Sequence, residues 1–132
     1  MAITAAGDVG EAAAELVAAF SRHDTASYFA AFAPDATFIF HNTERVLRSR
    51  TEYQELWSEW EAGGFRVLGC TSNDGQVQML GEDVGVFFHT VRTTLADGDG
   101  SIESGERETI VFQRLGGAWL GVHEHLSVDP TF

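Results

Sequence analysis

Apolar residues in the first part of the chain recur with the spacing of an amphipathic helix. Spacings of three and four residues place one set on a single helix face: Val9, Ala12, Ala13, Leu16, Val17 and Phe20. Asp8 is a suitable N-cap for this helix, with Glu11 three residues later in the capping-box position. A second, short helix is predicted to begin after Asp24 and to end before Pro34, because proline breaks a helix interior.

A change to β-branched and aromatic residues predicts the first strand at 35–41. A turn at 42–44 and a short return strand at 45–47 follow from the local composition. A third helix comes next, capped by Ser49 or Thr51 and ended by the glycine pair at 63–64. Its apolar stripe consists of large side chains: Tyr53, Leu56, Trp57 and Trp60.

The second half of the chain carries four long strand patterns separated by short turn-forming segments. We expect strands at 65–80, 84–95, 103–115 and 118–128. Short connections join antiparallel neighbours, so these strands should form a meander. The order of elements predicts one α+β domain, residues 1–132, with three N-terminal helices packed in a strongly curved, mostly antiparallel sheet. A curved sheet leaves a pocket between one of its faces and the helices, and either face could line it.

Charge restricts the partners of this chain. It has 20 acidic residues against 8 basic ones, all of them arginine, and a net charge of -12. Nucleic-acid and anionic-membrane partners are not expected, since both select basic surfaces. The expected ligand is a neutral or mainly apolar small molecule, because a strongly acidic exterior repels anions. The single cysteine, Cys70, and an N-terminus unlike a signal peptide favour a cytoplasmic location.

Three segments together resemble the nuclear transport factor 2-like (NTF2-like) superfamily, and within it the SnoaL-like, or polyketide-cyclase-like, domains. They are the second helix and following strand at 28–38, the helix from Thr51, and the last strand at 117–130. The last strand is also similar to that of the calcium/calmodulin-dependent kinase association domain. The resemblance implies a conical, cystatin-like barrel and a homodimer packed through its sheet. It implies no single activity, because the superfamily includes isomerases, cyclases, dehydratases, ligand binders and oligomerisation domains.

Histidines in the last strand are candidate catalytic residues, because imidazole titrates near neutral pH. Strict alternation places His123 and His125 on one face with Trp119, Gly121 and Ser127. Either histidine could act as acid, base or ligand anchor inside the cone. Alternatively, one bonds a neighbouring strand and the other lies at a dimer face.

His41, at the end of the first strand, is the third candidate catalytic residue. The resemblance to ketosteroid isomerases places Phe40 where those enzymes carry a catalytic Asp. The usual isomerase mechanism is therefore not expected. His41 could replace that base, or it could simply form a hydrogen bond with a loop.

Four further residues are candidates for ligand binding. Arg92 lies in an apolar strand, where a guanidinium needs a partner, so it either pairs with a carboxylate such as Glu108 or binds an anionic group. Tyr28 and Trp57 are simply explained as core aromatics, although both could line the pocket and donate a hydrogen bond.

Three functions are consistent with these features. The first is a small-molecule-binding domain, the second a cofactor-independent lyase, isomerase or cyclase using histidine, and the third a non-catalytic dimerisation module. No nucleotide-binding glycine motif and no nucleophile elbow is present in the sequence, and we expect neither a cofactor nor a metal.

Overall fold

Four long strands fill the second half of the chain, as the alternation predicts. The computed structural model describes residues 4–132. A shorter strand precedes the third helix, giving five in chain order: β1 (Phe32–Phe40), β2 (Val67–Met79), β3 (Val84–Asp97), β4 (Gly100–Leu115) and β5 (Ala118–Val128). Strands β2 to β5 form the expected antiparallel meander.

The three predicted helices are present, and their caps come from short polar side chains. They are α1 (Ala5–Ser21), α2 (Thr25–Ala30) and α3 (Arg50–Ala62). Asp24 caps α2 and Ser49 caps α3, both as predicted. The predicted N-cap Asp8 was wrong: α1 begins one turn earlier, because the Thr4 hydroxyl accepts a hydrogen bond from the Gly7 amide.

Strand β1 makes the sheet mixed, because it runs parallel to β5. The sheet order is β1-β5-β4-β3-β2, and its two edges stay open. The short return strand expected at 45–47 is reduced to one bridge, in which Phe38 and Leu47 exchange two backbone hydrogen bonds. The α+β prediction is confirmed: three helices accompany a curved, cystatin-like sheet.

The helices cover one face of the sheet, which we call the inner face. Helix α1 packs against β2, and α3 packs against β1. Between them lies an aromatic core of buried side chains: Tyr28, Phe29, Phe32, Phe38, Phe40, Tyr53, Trp57, Phe87 and Phe112. Within residues 4–132, no helix covers the opposite, outer face of the sheet.

A β-bulge in β5 changes which residues face the helices. Strand β4 pairs Val111 with His123 but Phe112 with Gly121, so Val122 is an extra residue in β5. Gly121 therefore faces the core, where it touches Phe32, while His123 faces outward. The predicted common face of Gly121 and His123 was wrong, because strict alternation assumes a strand without a bulge.

Candidate functional site

The inner face carries a buried polar cluster at its centre. His89 of β3 and Glu108 of β4 stand directly opposite each other in the antiparallel register. His89 Nε2 lies 2.6 Å from Glu108 Oε1, and both side chains are almost fully buried. The other ring nitrogen, Nδ1, lies 2.5 Å from the Ser72 hydroxyl of β2. Partners on both ring nitrogens fix the orientation of this imidazole.

Glu124 of β5 joins this cluster because of the bulge described above. It is 2% exposed and lines the same cavity as Glu108, close enough that each carboxyl group shifts the pKa of the other. The Tyr28 hydroxyl donates to Glu124 Oε1 over 3.4 Å and lies 2.8 Å from the Tyr53 hydroxyl. The helices α2 and α3 thus supply two phenols to a pair of carboxyl groups from the sheet.

The two carboxyl groups have opposite pKa shifts. Burial works to raise the pKa of Glu108, but hydrogen bonds from Glu124 and His89 and the charge of His89 outweigh it, so this pKa is lowered. Burial raises the pKa of Glu124 well above its ordinary value, and the adjacent Glu108 charge raises it further. These opposite shifts favour a proton on Glu124 and a negative charge on Glu108.

The phenols and the single thiol around the pair stay protonated. Burial raises the pKa of Tyr28 and of Tyr53 well above 10, with the Glu124 charge as the next cause. Burial likewise raises the pKa of Cys70 to about 11. These groups can donate hydrogen bonds at neutral pH, and none of them is an anion there.

A small cavity of about 30 Å³ lies between the carboxyl pair and α1. Leu16, Val17 and Phe20 form its apolar side. The sheet and α2 supply the other side: Tyr28, Cys70, Val91, Thr93, Glu106, Glu108, Glu124 and Leu126. Because one water needs roughly 10–15 Å³ of such space, the cavity has room for one or two water molecules.

His41 lies at the rim of this site. Its Nε2 atom is 2.5 Å from Glu106 Oε2, and Glu106 lines the cavity. The imidazole is 34% exposed at its side chain, whereas the Glu106 side chain is 18% exposed. His41 is therefore linked to the cavity only indirectly, through the carboxylate of Glu106.

His123 and His125 lie on the outer face, away from the cavity. His123 Nδ1 is 2.7 Å from the Thr37 hydroxyl of β1, and the two imidazole centroids are 6.4 Å apart. Burial lowers the pKa of His123, and the neighbouring His125 lowers it further. His125 is exposed and lines a shallow outer groove with Arg107.

Arg92 and Glu108 lie on opposite faces of the sheet and do not pair. Arg92 is exposed, with its guanidinium carbon 5.0 Å from the centroid of the Phe132 ring. Glu108 takes His89 as its partner instead. Of the two partners expected for Arg92, the structure thus excludes Glu108.

Trp57 belongs to the aromatic core. It is 1% exposed, its indole donates to the Thr25 hydroxyl at 3.1 Å, and its ring stacks on His23. Tyr28 lies beside it but also reaches the carboxyl pair, so Tyr28 and Glu108 are the two predicted ligand-binding residues that meet at the cavity.

Three members of the cluster were not predicted as site residues: His89, Glu124 and Tyr53. Tyr53 was predicted only as part of the apolar stripe of the third helix. Strict alternation places Glu124 on the face opposite the histidines, which is correct, but its role depends on knowing which face lines the cavity. An exact register for β3, β4 and β5 would have revealed the cluster, since it places His89 opposite Glu108, and Glu124 opposite Ile110.

Among residues 4–132, no three His, Cys, Asp or Glu side chains are arranged to hold a metal ion. Within the same range no helix is long and apolar enough to cross a membrane. Every buried side-chain nitrogen and oxygen described has a hydrogen-bond partner.

The chain has an NTF2-like fold, and its sequence specifies the family. Residues 9–130 match the SnoaL-like domain model, so the chain belongs to the SnoaL-like domain family. No curated protein sequence matches this chain.

Solved structures confirm the fold. A putative calcium/calmodulin-dependent protein kinase II association domain from Xanthomonas campestris has a TM-score of 0.81 and 21% identity, over 96% of this chain and 89% of that one. An NTF2-like protein of unknown function in nutrient uptake, from Rhodospirillum rubrum, has a TM-score of 0.77 and 23% identity. The match covers 92% of this chain and 98% of that one. The C. elegans CaMKII association domain has a TM-score of 0.74 and 21% identity, and the match covers 92% of this chain and 93% of that one.

Proposed function

We propose that this chain binds a small, uncharged molecule between α1 and the inner face of the sheet, next to Glu108 and Glu124. The observation that carries the proposal is the cavity itself, where apolar side chains of α1 face hydrogen-bonding groups of the sheet. A few polar groups converging beside an apolar wall are typical of small-molecule sites.

The charges around the cavity favour an uncharged ligand over an anion. Glu106 and Glu108 both line it and carry negative charge, and repulsion between like charges is strong where water is excluded. Its volume of about 30 Å³ accepts only a few atoms, so a larger ligand requires α1 to move away from β2.

Amide and carboxylate pairs of matched shape test this proposal. Acetamide and benzamide should raise the Tm of the protein, whereas acetate and benzoate should not, because only the carboxylates add charge. Glu108→Gln should change the response to the amides. The control His123→Ala alters a residue on the outer face and should leave that response intact.

Two outcomes contradict the binding proposal. One is greater stabilisation by a carboxylate than by its amide. The other is loss of the amide response in His123→Ala together with an unchanged response in Glu108→Gln.

A cofactor-independent isomerase, cyclase or dehydratase is the second candidate, and one observation favours it. The neighbouring carboxyl groups have pKa values pushed in opposite directions, which is how one site holds an acid and a base together. Glu108 would accept a proton from the ligand. Glu124, with Tyr28 beside it, would donate one or hold a developing oxyanion.

The geometry supports assigning this acid–base chemistry to carboxyl groups. His41 supports Glu106 at the rim, whereas His123 and His125 lie across the sheet from the cavity. Arg92 is also on the outer face, where any anion that it binds would be separate from the inner site.

Self-association through the outer face is a third proposal. The register places Ile39, His125, Thr109 and Phe88 in one row across four strands, and two of these are exposed large apolar side chains. Similar solved structures include domains described as association and hub domains. A homodimer packed through the sheet would cover this row.

A further inference from the structure

Ser72 is the exposed end of a hydrogen-bonded path that leads into the buried cluster. Ser72 is an exposed residue of the edge strand β2, yet its hydroxyl lies 2.5 Å from His89 Nδ1. The same imidazole, which is 5% exposed, contacts Glu108 through Nε2 at 2.6 Å. One ring thus joins the hydroxyl of an exposed residue to a buried carboxyl group.

A bulge in β2 lies beside this contact. Pairing with β3 passes from Asn73↔Thr90 to Gln76↔Phe88, so Asp74 and Gly75 together stand opposite His89. Asp74 has a φ of 56°, in the left-handed region that side chains rarely adopt. Bulges redirect neighbouring side chains, and this one adjoins Ser72 at the point where its hydroxyl turns toward the ring.

We propose that Ser72 and His89 form the route by which protons pass between solvent and the buried Glu108–Glu124 pair. Water delivers a proton to Nδ1 through the Ser72 hydroxyl, which gives its own proton to the ring and takes one from water. The resulting imidazolium releases its Nε2 proton to Glu108, so that both carboxyl groups are briefly protonated. Glu108 then passes a proton to Glu124 if Glu124 has given its own to a ligand; in the ligand-free protein the two groups exchange protons, and one proton leaves again through the ring. The tautomer of the ring is restored when a proton returns along the same path.

This route rests on the proposed acid–base function in one respect: the Glu108–Glu124 pair exchanges protons with a ligand. A buried site that gives up a proton must take one back before it can act again. A chain of hydrogen-bonded side chains can return that proton without separating α1 from the sheet. His89 suits the task, because imidazole binds and releases protons near neutral pH at two distinct nitrogens.

The rim offers a competing exit through Glu106 and His41. His41 contacts Glu106 at 2.5 Å, and Glu106 acts on Glu124 through its charge. A proton leaving by this exit must cross the cavity that Glu106 and Glu124 line. The path through His89 instead runs through direct side-chain contacts from Glu124 to Ser72.

Infrared spectroscopy after rapid mixing with D₂O tests the route on the ligand-free protein. The carbonyl stretch of a protonated carboxylic acid shifts when its proton is replaced by deuterium, so the time course reports exchange at the buried pair. Glu124→Gln identifies the band. There are two test variants: Ser72→Val, which removes the hydroxyl but favours the strand, and His89→Gln. The matched control is His41→Gln, at the rim.

We expect Ser72→Val and His89→Gln to slow the exchange by about tenfold or more, and His41→Gln to leave it unchanged. Wild-type exchange in Ser72→Val, or slowing confined to His41→Gln, would overturn the route. Ser72→Val decides the question alone if His89→Gln does not fold, as judged by circular dichroism. If the carboxylic acid band persists in Glu124→Gln, the proposed role of Glu124 is refuted. The route is still tested in that case, because the exchange rate of the same band can be measured in Ser72→Val.

Discussion

Glu108 and Glu124 have identical side chains, and their surroundings give them opposite protonation states. Glu108 faces His89, which supplies a hydrogen bond and charge. Glu124 is buried beside the Glu108 charge, and both effects disfavour a second negative charge more than the hydrogen bond from Tyr28 favours it. The difference comes from the register of β3, β4 and β5, because the side chains opposite each carboxyl group decide its pKa.

The raised pKa of Glu124 has a consequence for stability. A carboxyl group with a raised folded pKa stabilises the protein below its unfolded pKa, near 4.5, and this contribution is lost as the pH rises through the folded pKa. The wild-type free energy of unfolding should therefore fall above about pH 4.5 by up to about 1.4 kcal/mol per pH unit from this group. Urea unfolding at several pH values measures the slope.

Glu124→Gln should remove that slope, because a glutamine imitates the protonated acid at every pH. Glu108 adds no slope in the same window, since its lowered pKa makes its contribution vanish only at more acidic pH. Parallel pH profiles of the wild type and Glu124→Gln between about pH 5 and 8 would show that Glu124 titrates normally.

At the scale of elements, the sequence predicts the kinds and order of helices and strands, but not the bulges. Glycines and capping residues marked the ends of α2, α3 and the hairpins, because they act locally. The bulge at Val122 depends on the pairing of β5 with β4, which lies outside any local pattern. The faces assigned to Gly121 and His123 failed for that reason.

Gly121 should be needed where β5 crosses Phe32. A Cβ atom there would lie 2.8 Å from Phe32 Cδ1, and Phe32 is fully buried. Gly121→Ala should lower the free energy of unfolding by about 1–3 kcal/mol, as overpacking does. Gly69→Ala is the matched control, since nothing lies within 4 Å of its Cβ, and it should leave stability unchanged or slightly raised. Equal denaturation midpoints for the two variants would contradict the packing described here.

At the scale of the whole molecule, the two sheet faces differ in what covers them. Helices bury the inner face, whereas the outer face exposes Phe88 and Ile39 between polar side chains. The fold class follows from element order alone, but the candidate site does not. Its carboxyl groups, imidazole and phenols come from α2, α3, β3, β4 and β5, and α1 and β2 complete the cavity, so only the assembled fold brings these side chains together.

A change at Phe88 tests the proposed homodimer. Wild-type protein should scatter light with twice its 14.4 kDa chain mass at micromolar concentration, and Phe88→Glu should reduce this to the chain mass. Ile102→Glu places the same charge on an equally apolar exposed residue in β4, near the β3–β4 turn, and should remain dimeric. A monomeric wild type, or a dimeric Phe88→Glu, would count against association through this face.

The account depends most on one proton shared unequally by two buried carboxyl groups. Carbon-13 NMR of glutamate side chains, followed through a pH titration, measures this directly. We predict one carboxyl signal, absent in Glu124→Gln, that stays protonated at neutral pH, and another, absent in Glu108→Gln, that is ionised below its ordinary pKa of 4.5. Two signals that both titrate near 4.5 would contradict the account.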